Sequence, residues 1–159
     1  VAVDDVGSTL RVRVRARNGR GAGEAASGQT AVVGTGTGGS AVPVSTINLP
    51  DRLVVSGIAF RPAELHARGP FTASFTVSDS KGRKVAGALV YVIGLPYGWL
   101  AAAREVPTDA NGVATVPLTA TRTVPRQGAI VMFVRARKPG EPLLGGVSTR
   151  RLVQLLVRI

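Results

Sequence analysis

Strict alternation of apolar and basic residues marks the start of the chain as a half-buried β-strand. From residue 10 to residue 17 the even-numbered residues are apolar and the odd-numbered residues are arginine. Because successive side chains of a strand point to opposite faces, this pattern puts the apolar set on one face and the arginines on the other. Asn-Gly in residues 18–21 predicts a hairpin turn. Small residues follow at 22–27, and residues 29–33 are predicted as a further short strand.

The same period of two recurs in the larger part of the chain. At residues 71–78, Phe and Val or Ala alternate with Thr and Ser, so one face is apolar and the other polar. At residues 129–137 both faces carry apolar residues, and the pattern does not decide which face is buried. Seven short strands separated by Gly/Pro turns favour a β-sandwich. The predicted strands are residues 53–58, 71–78, 88–93, 102–106, 113–119, 129–137 and 148–158.

Two polar turns share one pattern, an aspartate followed three residues later by glycine. They are residues 79–83 and 108–112. Aspartate and asparagine bond their own backbone in turns, and Gly112 supplies a positive φ without steric cost. Asp109 and Asn111 resemble part of a calcium loop, but the other acidic ligands and the terminal glutamate are absent. We therefore expect sandwich turns here and no metal site.

Low-complexity sequence divides the chain into three parts. Residues 34–40 contain only Gly, Thr and Ser, which predicts a flexible linker. We assign residues 1–33 to a partial domain, residues 34–46 to the linker and residues 47–159 to a complete sandwich. Two or three strands alone do not bury a core. The first part is therefore expected to pack on the second domain, on a neighbouring subunit or on further chain.

Composition narrows the class of protein. Hydrophobic residues make up 45% of the 159 residues but aromatics only 4%, so the core is expected to be mainly aliphatic. The absence of cysteine excludes disulfides and thiolate chemistry. The net charge of +11, mostly from arginine, fits either an anionic partner or a solvated face. Nucleic acid is not expected, because the arginines are not interleaved with aromatic residues. No apolar run is long enough to span a bilayer.

Candidate catalytic residues are few. His66 is the only histidine, and no nucleophile motif accompanies it. No carboxylate pair and no phosphate-binding loop is present, so we predict that the chain is not an enzyme and has no cofactor or metal. Tyr97 and Trp99 share a Gly/Pro loop at residues 95–100. Exposed, they suit a protein or sugar contact. Buried, they cap the sandwich, which we favour because Trp is usually largely buried.

The two turns and the strands around them resemble a known kind of module. TVSDSKGRKVAGALVYV (residues 76–92) and TDANGVATV (residues 108–116) are similar to bacterial immunoglobulin-like modules of the invasin/intimin kind and to carboxypeptidase-regulatory-like domains. Residues 5–18 and 30–33 resemble the last two strands of a bacterial immunoglobulin-like repeat. The resemblance implies an all-β, immunoglobulin-like β-sandwich, preceded by a partial hairpin, in a bacterial surface or filament protein.

Two functions follow as expectations. The first is a non-catalytic, extracellular structural module of a cell-surface stalk or filament, which assembles with copies of itself or neighbouring immunoglobulin-like modules through β-strand contacts (β-augmentation). Its predicted subunit contacts are Leu10, Val12, Val14, Ala31, Val32 and Val33. The alternative is a module of a secreted enzyme or adhesin that binds carbohydrate or an anionic polymer. Its predicted contacts are Arg11, Arg13, Arg15, Tyr97 and Trp99.

Overall fold

The described part of the chain is built almost entirely of β-strands, as the alternating patterns predict. The structure, a computed structural model, describes residues 9, 11–29, 41–142 and 145–159. The chain divides into two compact units, Val1–Gly38 and Gly39–Ile159. The strands are β1 (Arg13–Asn18), β2 (Gly21–Ala26), β3 (Val42–Pro43), β4 (Leu53–Arg61), β5 (Gly69–Asp79), β6 (Val85–Ala86), β7 (Leu89–Leu95), β8 (Val106–Pro107), β9 (Val113–Ala120), β10 (Gln127–Arg137) and β11 (Thr149–Arg158).

The described part of the first unit is an antiparallel hairpin of β1 and β2. Asn18 Oδ1 accepts a hydrogen bond from the backbone N–H of Arg20, 2.9 Å away, within the two-residue turn. Strand β2 occupies most of the small-residue segment 22–27, which the pattern did not assign to a strand. Its Gly and Ala residues have low β-propensity, but the tight turn brings them into register with β1. Gln29 is not in a strand, and residues 30–33 lie outside the described residues.

The second unit is a β-sandwich whose three-stranded sheet, β4-β5-β9, faces a four-stranded sheet, β11-β10-β7-β8. This antiparallel arrangement is that of immunoglobulin-like sandwiches, so the predicted fold class is confirmed. The predicted apolar face of β5 is buried, with Phe75 and Val77 fully enclosed. In β10, where the pattern was undecided, Met132 and Val134 point into the core while Val131 and Phe133 are half-buried.

Residues 41–46 belong to the sandwich, although the sequence pattern assigned them to the linker. Strand β3 pairs in parallel with β6, and the Val42 N–H donates to Lys84 O at 2.8 Å. A short 3₁₀ helix, Val44–Thr46, follows, and both Val44 and Ile47 are buried in the core. Residue 43 is a proline, which an edge strand tolerates. Residues 34–40 lie outside the described residues.

One predicted strand is mostly irregular. Residues 101–105 are in no strand, and only Val106–Pro107 pairs with β7. The Ala101 N–H donates to Thr119 O at 2.9 Å, so this segment crosses from one sheet to the other rather than extending either sheet. The Ala-rich sequence of the segment has no alternation that would have distinguished a strand from a crossing loop.

Loops gather at the two ends of the sandwich, and each end has its own chemistry. The turns at residues 79–84 and 109–112 form one end, which we call the aspartate end. The loops at residues 62–68 and 121–126, together with the C-terminal part of β11, form the opposite end, which we call the arginine end. The Ala41 N–H donates to Ala110 O and the Ile159 N–H donates to Arg126 O. Residues 41 and 159 therefore lie at opposite ends of the sandwich.

Candidate functional site

The hairpin of the first unit exposes an apolar face. Val14 lies opposite Ala25, and Ala16 lies opposite Gly23. Val12 is 66% exposed and Val14 is 59% exposed, so the side chains predicted as half-buried are not covered. The other predicted subunit contacts, Leu10, Ala31, Val32 and Val33, lie outside the described residues. A face of small and branched apolar side chains without charge is suited to contact another apolar surface.

The opposite face of the hairpin is basic. Arg13 and Arg15 both pair with Glu24, at 2.9 Å and 2.6 Å. All three side chains are well exposed, and such pairs contribute about 0–1 kcal/mol each. Arg11 and Arg17 form no ion pair with the described residues. The predicted arginine row is therefore exposed, and its charge is only partly neutralised.

Tyr97 and Trp99 lie at the arginine end and differ in exposure. Trp99 is half-buried against the core, whereas Tyr97 is 76% exposed. The hydroxyls of Thr121 and Thr123 donate to Gly98 O at 2.6 Å and 3.0 Å, which ties this loop to the loop at residues 121–126. With Tyr91 and Phe133 among its neighbours, Tyr97 also lines an open groove of about 280 Å³ on the outer face of the four-stranded sheet.

The two aspartate turns have the same hydrogen bonds. Asp79 Oδ1 accepts from the N–H groups of Lys81 and Arg83, and Asp109 Oδ1 accepts from those of Asn111 and Val113. The backbone bonds of the second turn hold the pKa of the Asp109 carboxyl below its ordinary value. Both carboxylates are thus used as turn-forming acceptors. No group of three or more His, Cys, Asp or Glu residues suited to a metal occurs within the described ranges.

A charged cluster that the sequence did not predict lies across β10. Glu105 accepts hydrogen bonds from Arg135 at 2.8 Å and from Arg137 at 2.8 Å and 2.6 Å. The Arg135 guanidinium lies 5.2 Å from the centre of the Tyr91 ring, a cation–π distance. The hydrogen bond from Arg137 is the main cause that lowers the pKa of Glu105, and burial opposes it. The same contact raises the pKa of Arg137.

The positions of the two arginines were a usable signal for this cluster. Arg135 and Arg137 share one face of β10, as their spacing of two requires. Their partner Glu105 lies in the irregular segment 101–105, where no alternation of residue types indicates which way a side chain points.

Replacing Glu105 by Gln is expected to lower the free energy of unfolding by roughly 1–2 kcal/mol at pH 7, because one carboxylate serves two largely buried guanidinium groups. Since the folded pKa is depressed, the stabilisation is present above the ordinary value of 4.5 and is lost as the pH falls below it. Urea denaturation at pH 7 and near pH 3 measures both effects. Glu64→Gln is the matched control, because Glu64 has one longer contact, 3.4 Å to Arg158. Equal losses in the two variants would contradict the proposed importance of the cluster.

His66 has no catalytic surroundings among the described residues. Its side chain is exposed, and Nδ1 lies 3.3 Å from the backbone oxygen of Arg158. The carboxylate of its loop, Glu64, pairs with the Arg158 side chain. This geometry ties the loop at residues 62–68 to the end of β11 and offers no nucleophile–base pair. No helix in the described segments has the length and apolar character to cross a membrane.

Comparisons with known proteins give one structural likeness. No protein-family model and no curated protein matches the chain. The solved structure of the D00-D0 domain of Intimin is similar over 97% of this chain and 67% of that chain, with 17% identity and a TM-score of 0.44. Its name is of the invasin/intimin kind, to which the motifs at residues 76–92 and 108–116 are similar.

Proposed function

We propose that this chain is a non-catalytic structural module of an extracellular stalk or filament, which assembles through β-strand contacts with copies of itself or with neighbouring modules. The observation that carries the proposal is the hairpin of the first unit. Its described residues form only two strands, and Val12 and Val14 on its apolar face are more than half exposed. A two-stranded hairpin is marginally stable in water unless it packs against something.

The hairpin also has an edge that is suited to strand pairing. Strand β2 contains only glycine, alanine and Glu24. It has no proline, no bulge and no lysine, the features with which proteins commonly protect an exposed edge. Its partner β1 carries the arginines instead. An incoming strand therefore meets little steric or electrostatic obstruction at β2.

The second unit supports a structural role. Its buried polar side chains, Ser78, Asp79 and Thr108, all have hydrogen-bond partners within turns or strands. Residues 41 and 159 lie at opposite ends of the sandwich, a geometry that allows modules to be joined in series. These features suit a spacer, and the described residues assemble no catalytic group.

The apolar face of the hairpin is tested with the double variant Val12→Ser/Val14→Ser. We expect the wild-type protein to scatter light as a species larger than the 16.4 kDa monomer and the variant to scatter as a monomer. Loss of two exposed valines from an interface removes apolar burial worth roughly 2–4 kcal/mol. Multi-angle light scattering across a concentration series measures the mass.

The matched control is Ala22→Ser/Ala26→Ser, which places two serines on the arginine face of the same hairpin. It is expected to keep the wild-type mass. A wild-type protein that stays at 16.4 kDa at high concentration, with residues 11–29 cleaved rapidly by trypsin, would refute assembly through the hairpin.

A further inference from the structure

We propose that the arginine end of the sandwich binds an anionic polysaccharide. This binding site does not include the hairpin, and binding is a function beyond the proposed structural role. Four arginines are gathered here against one carboxylate, Glu64. All four are exposed, whereas the carboxylates of the sandwich otherwise lie at the aspartate end or beside Arg135 and Arg137. The four are Arg68, Arg122, Arg126 and Arg158.

Hydrogen bonds to backbone oxygens bring these arginines together from two loops and the end of β11. Arg68 donates two hydrogen bonds to Val124 O, at 2.9 Å and 2.7 Å, so its guanidinium lies against the loop at residues 121–126. The Ile159 N–H donates to Arg126 O at 2.7 Å, and the Arg158 N–H donates to Leu65 O at 2.9 Å. The loops are thus held in place by the fold, and the charges do not have to be assembled by the ligand.

Arg122 and Arg126 are available for a ligand. Both side chains are exposed, and neither forms a hydrogen bond or ion pair with the described residues. Arg158 is only weakly engaged, by Glu64 at 3.4 Å. Guanidinium groups suit carboxylate and sulfate because their fork of N–H groups binds two oxygens at once. Repeated anionic groups along a chain would meet successive arginines.

The exposed side chain of Tyr97 favours a sugar polymer as the anionic ligand. This side chain belongs to the loop that Thr121 and Thr123 hold through Gly98 O, and Arg122 lies between those two threonines. An exposed aromatic ring on a loop that is joined to an arginine-bearing loop suits a sugar chain that bears carboxylates or sulfates. Trp99 is half-buried, so one exposed ring remains, whereas single-stranded nucleic acid needs several rings for successive bases.

The test measures binding of heparin fragments and of polygalacturonate by isothermal titration calorimetry, with neutral dextran and an oligothymidylate as comparison probes. We expect both anionic polysaccharides to bind, with affinity that falls as salt rises because the charges are exposed. Arg122→Gln/Arg126→Gln is expected to weaken binding about tenfold or more, since two ion contacts are lost. Tyr97→Ala is expected to weaken it severalfold while leaving the fold intact.

Lys84→Gln/Arg104→Gln is the matched control. It removes the same charge from two exposed side chains of the sandwich that lie away from the arginine end, and it should change affinity less than about twofold. Arg104 forms no hydrogen bond or ion pair with the described residues, and the Lys84 side chain has only an electrostatic interaction with Asp109. Equal weakening by control and test variants would show attraction to the whole basic protein and overturn the site. Absence of wild-type binding to both polysaccharides also overturns it. Tighter binding of the oligothymidylate, or no effect of Tyr97→Ala, would overturn the assignment to polysaccharide.

Discussion

Replacing Gly112 by alanine is expected to lower the free energy of unfolding by roughly 2–5 kcal/mol. Gly112 has φ of +72°, a conformation that costs an L-residue about 1–2 kcal/mol. An added Cβ would also lie 2.9 Å from Lys84 Cβ, 3.0 Å from Val85 N and 3.1 Å from Val77 O. Two of these neighbours are backbone atoms, which cannot move aside without disturbing β5 and β6, so overpacking adds to the strain. Urea denaturation followed by circular dichroism measures the loss.

Gly82 provides a control for the backbone term alone. It occupies the corresponding position of the first aspartate turn with φ of +81°, but an added Cβ meets nothing within 4 Å. Gly82→Ala is therefore expected to cost only about 1–2 kcal/mol. If the two alanine variants lose equal stability, the close contact between the turns is not what requires glycine at residue 112.

Replacing Asp79 by alanine is expected to cost roughly 2–4 kcal/mol at pH 7. The side chain is buried, accepts two backbone N–H bonds and pairs with Arg83 at 2.6 Å. Burial raises the pKa of this carboxyl, but the hydrogen bonds from Arg83 and Lys81 together outweigh it and hold the pKa below its ordinary value of 3.8. The stabilisation is therefore present above that pH and is lost as the pH falls through the depressed folded pKa.

Asp109→Ala is the comparison for Asp79→Ala. Asp109 accepts the same pair of backbone bonds but is exposed and has no arginine partner corresponding to Arg83. It is expected to destabilise the protein less, and thermal unfolding at pH 7 ranks the two variants. A larger loss for Asp109→Ala would show that the backbone bonds, and not burial with the Arg83 pair, dominate the contribution of Asp79.

The sandwich was predictable where local chemistry and alternation agree. Strand β5 alternates without interruption, and the turns at Asp79 and Asp109 contain the residues that such turns require. Strand β2 and residues 101–105 were not predictable in the same way, because Gly and Ala residues do not show which face of a strand is buried. Residues 41–46 continue a low-complexity segment, and their pairing with β6 depends on a contact more than 40 residues away in sequence.

The candidate sites were predictable only in part. The alternation in β1 gave the two faces of the hairpin, since that property is local. The arginine end was not predictable, because Arg68, Arg122 and Arg158 are far apart in sequence and meet only through long-range hydrogen bonds. Glu105 likewise meets its two arginine partners only because the irregular segment 101–105 crosses from one sheet to the other. Contacts of this kind come from topology, which periodicity does not encode.

The positions of residues 41 and 159 have a mechanical consequence. A pull along the long axis loads β11 in shear against β10, where ten residue pairs resist together. At the other end β3 is held to β6 by only two pairs, although the Lys138 ammonium also donates to Ser45 O, Ile47 O and Asn48 Oδ1. Under tension β3 should therefore detach first. Releasing residues 41–47 would lengthen the module by up to about 20 Å while both sheets keep their pairing.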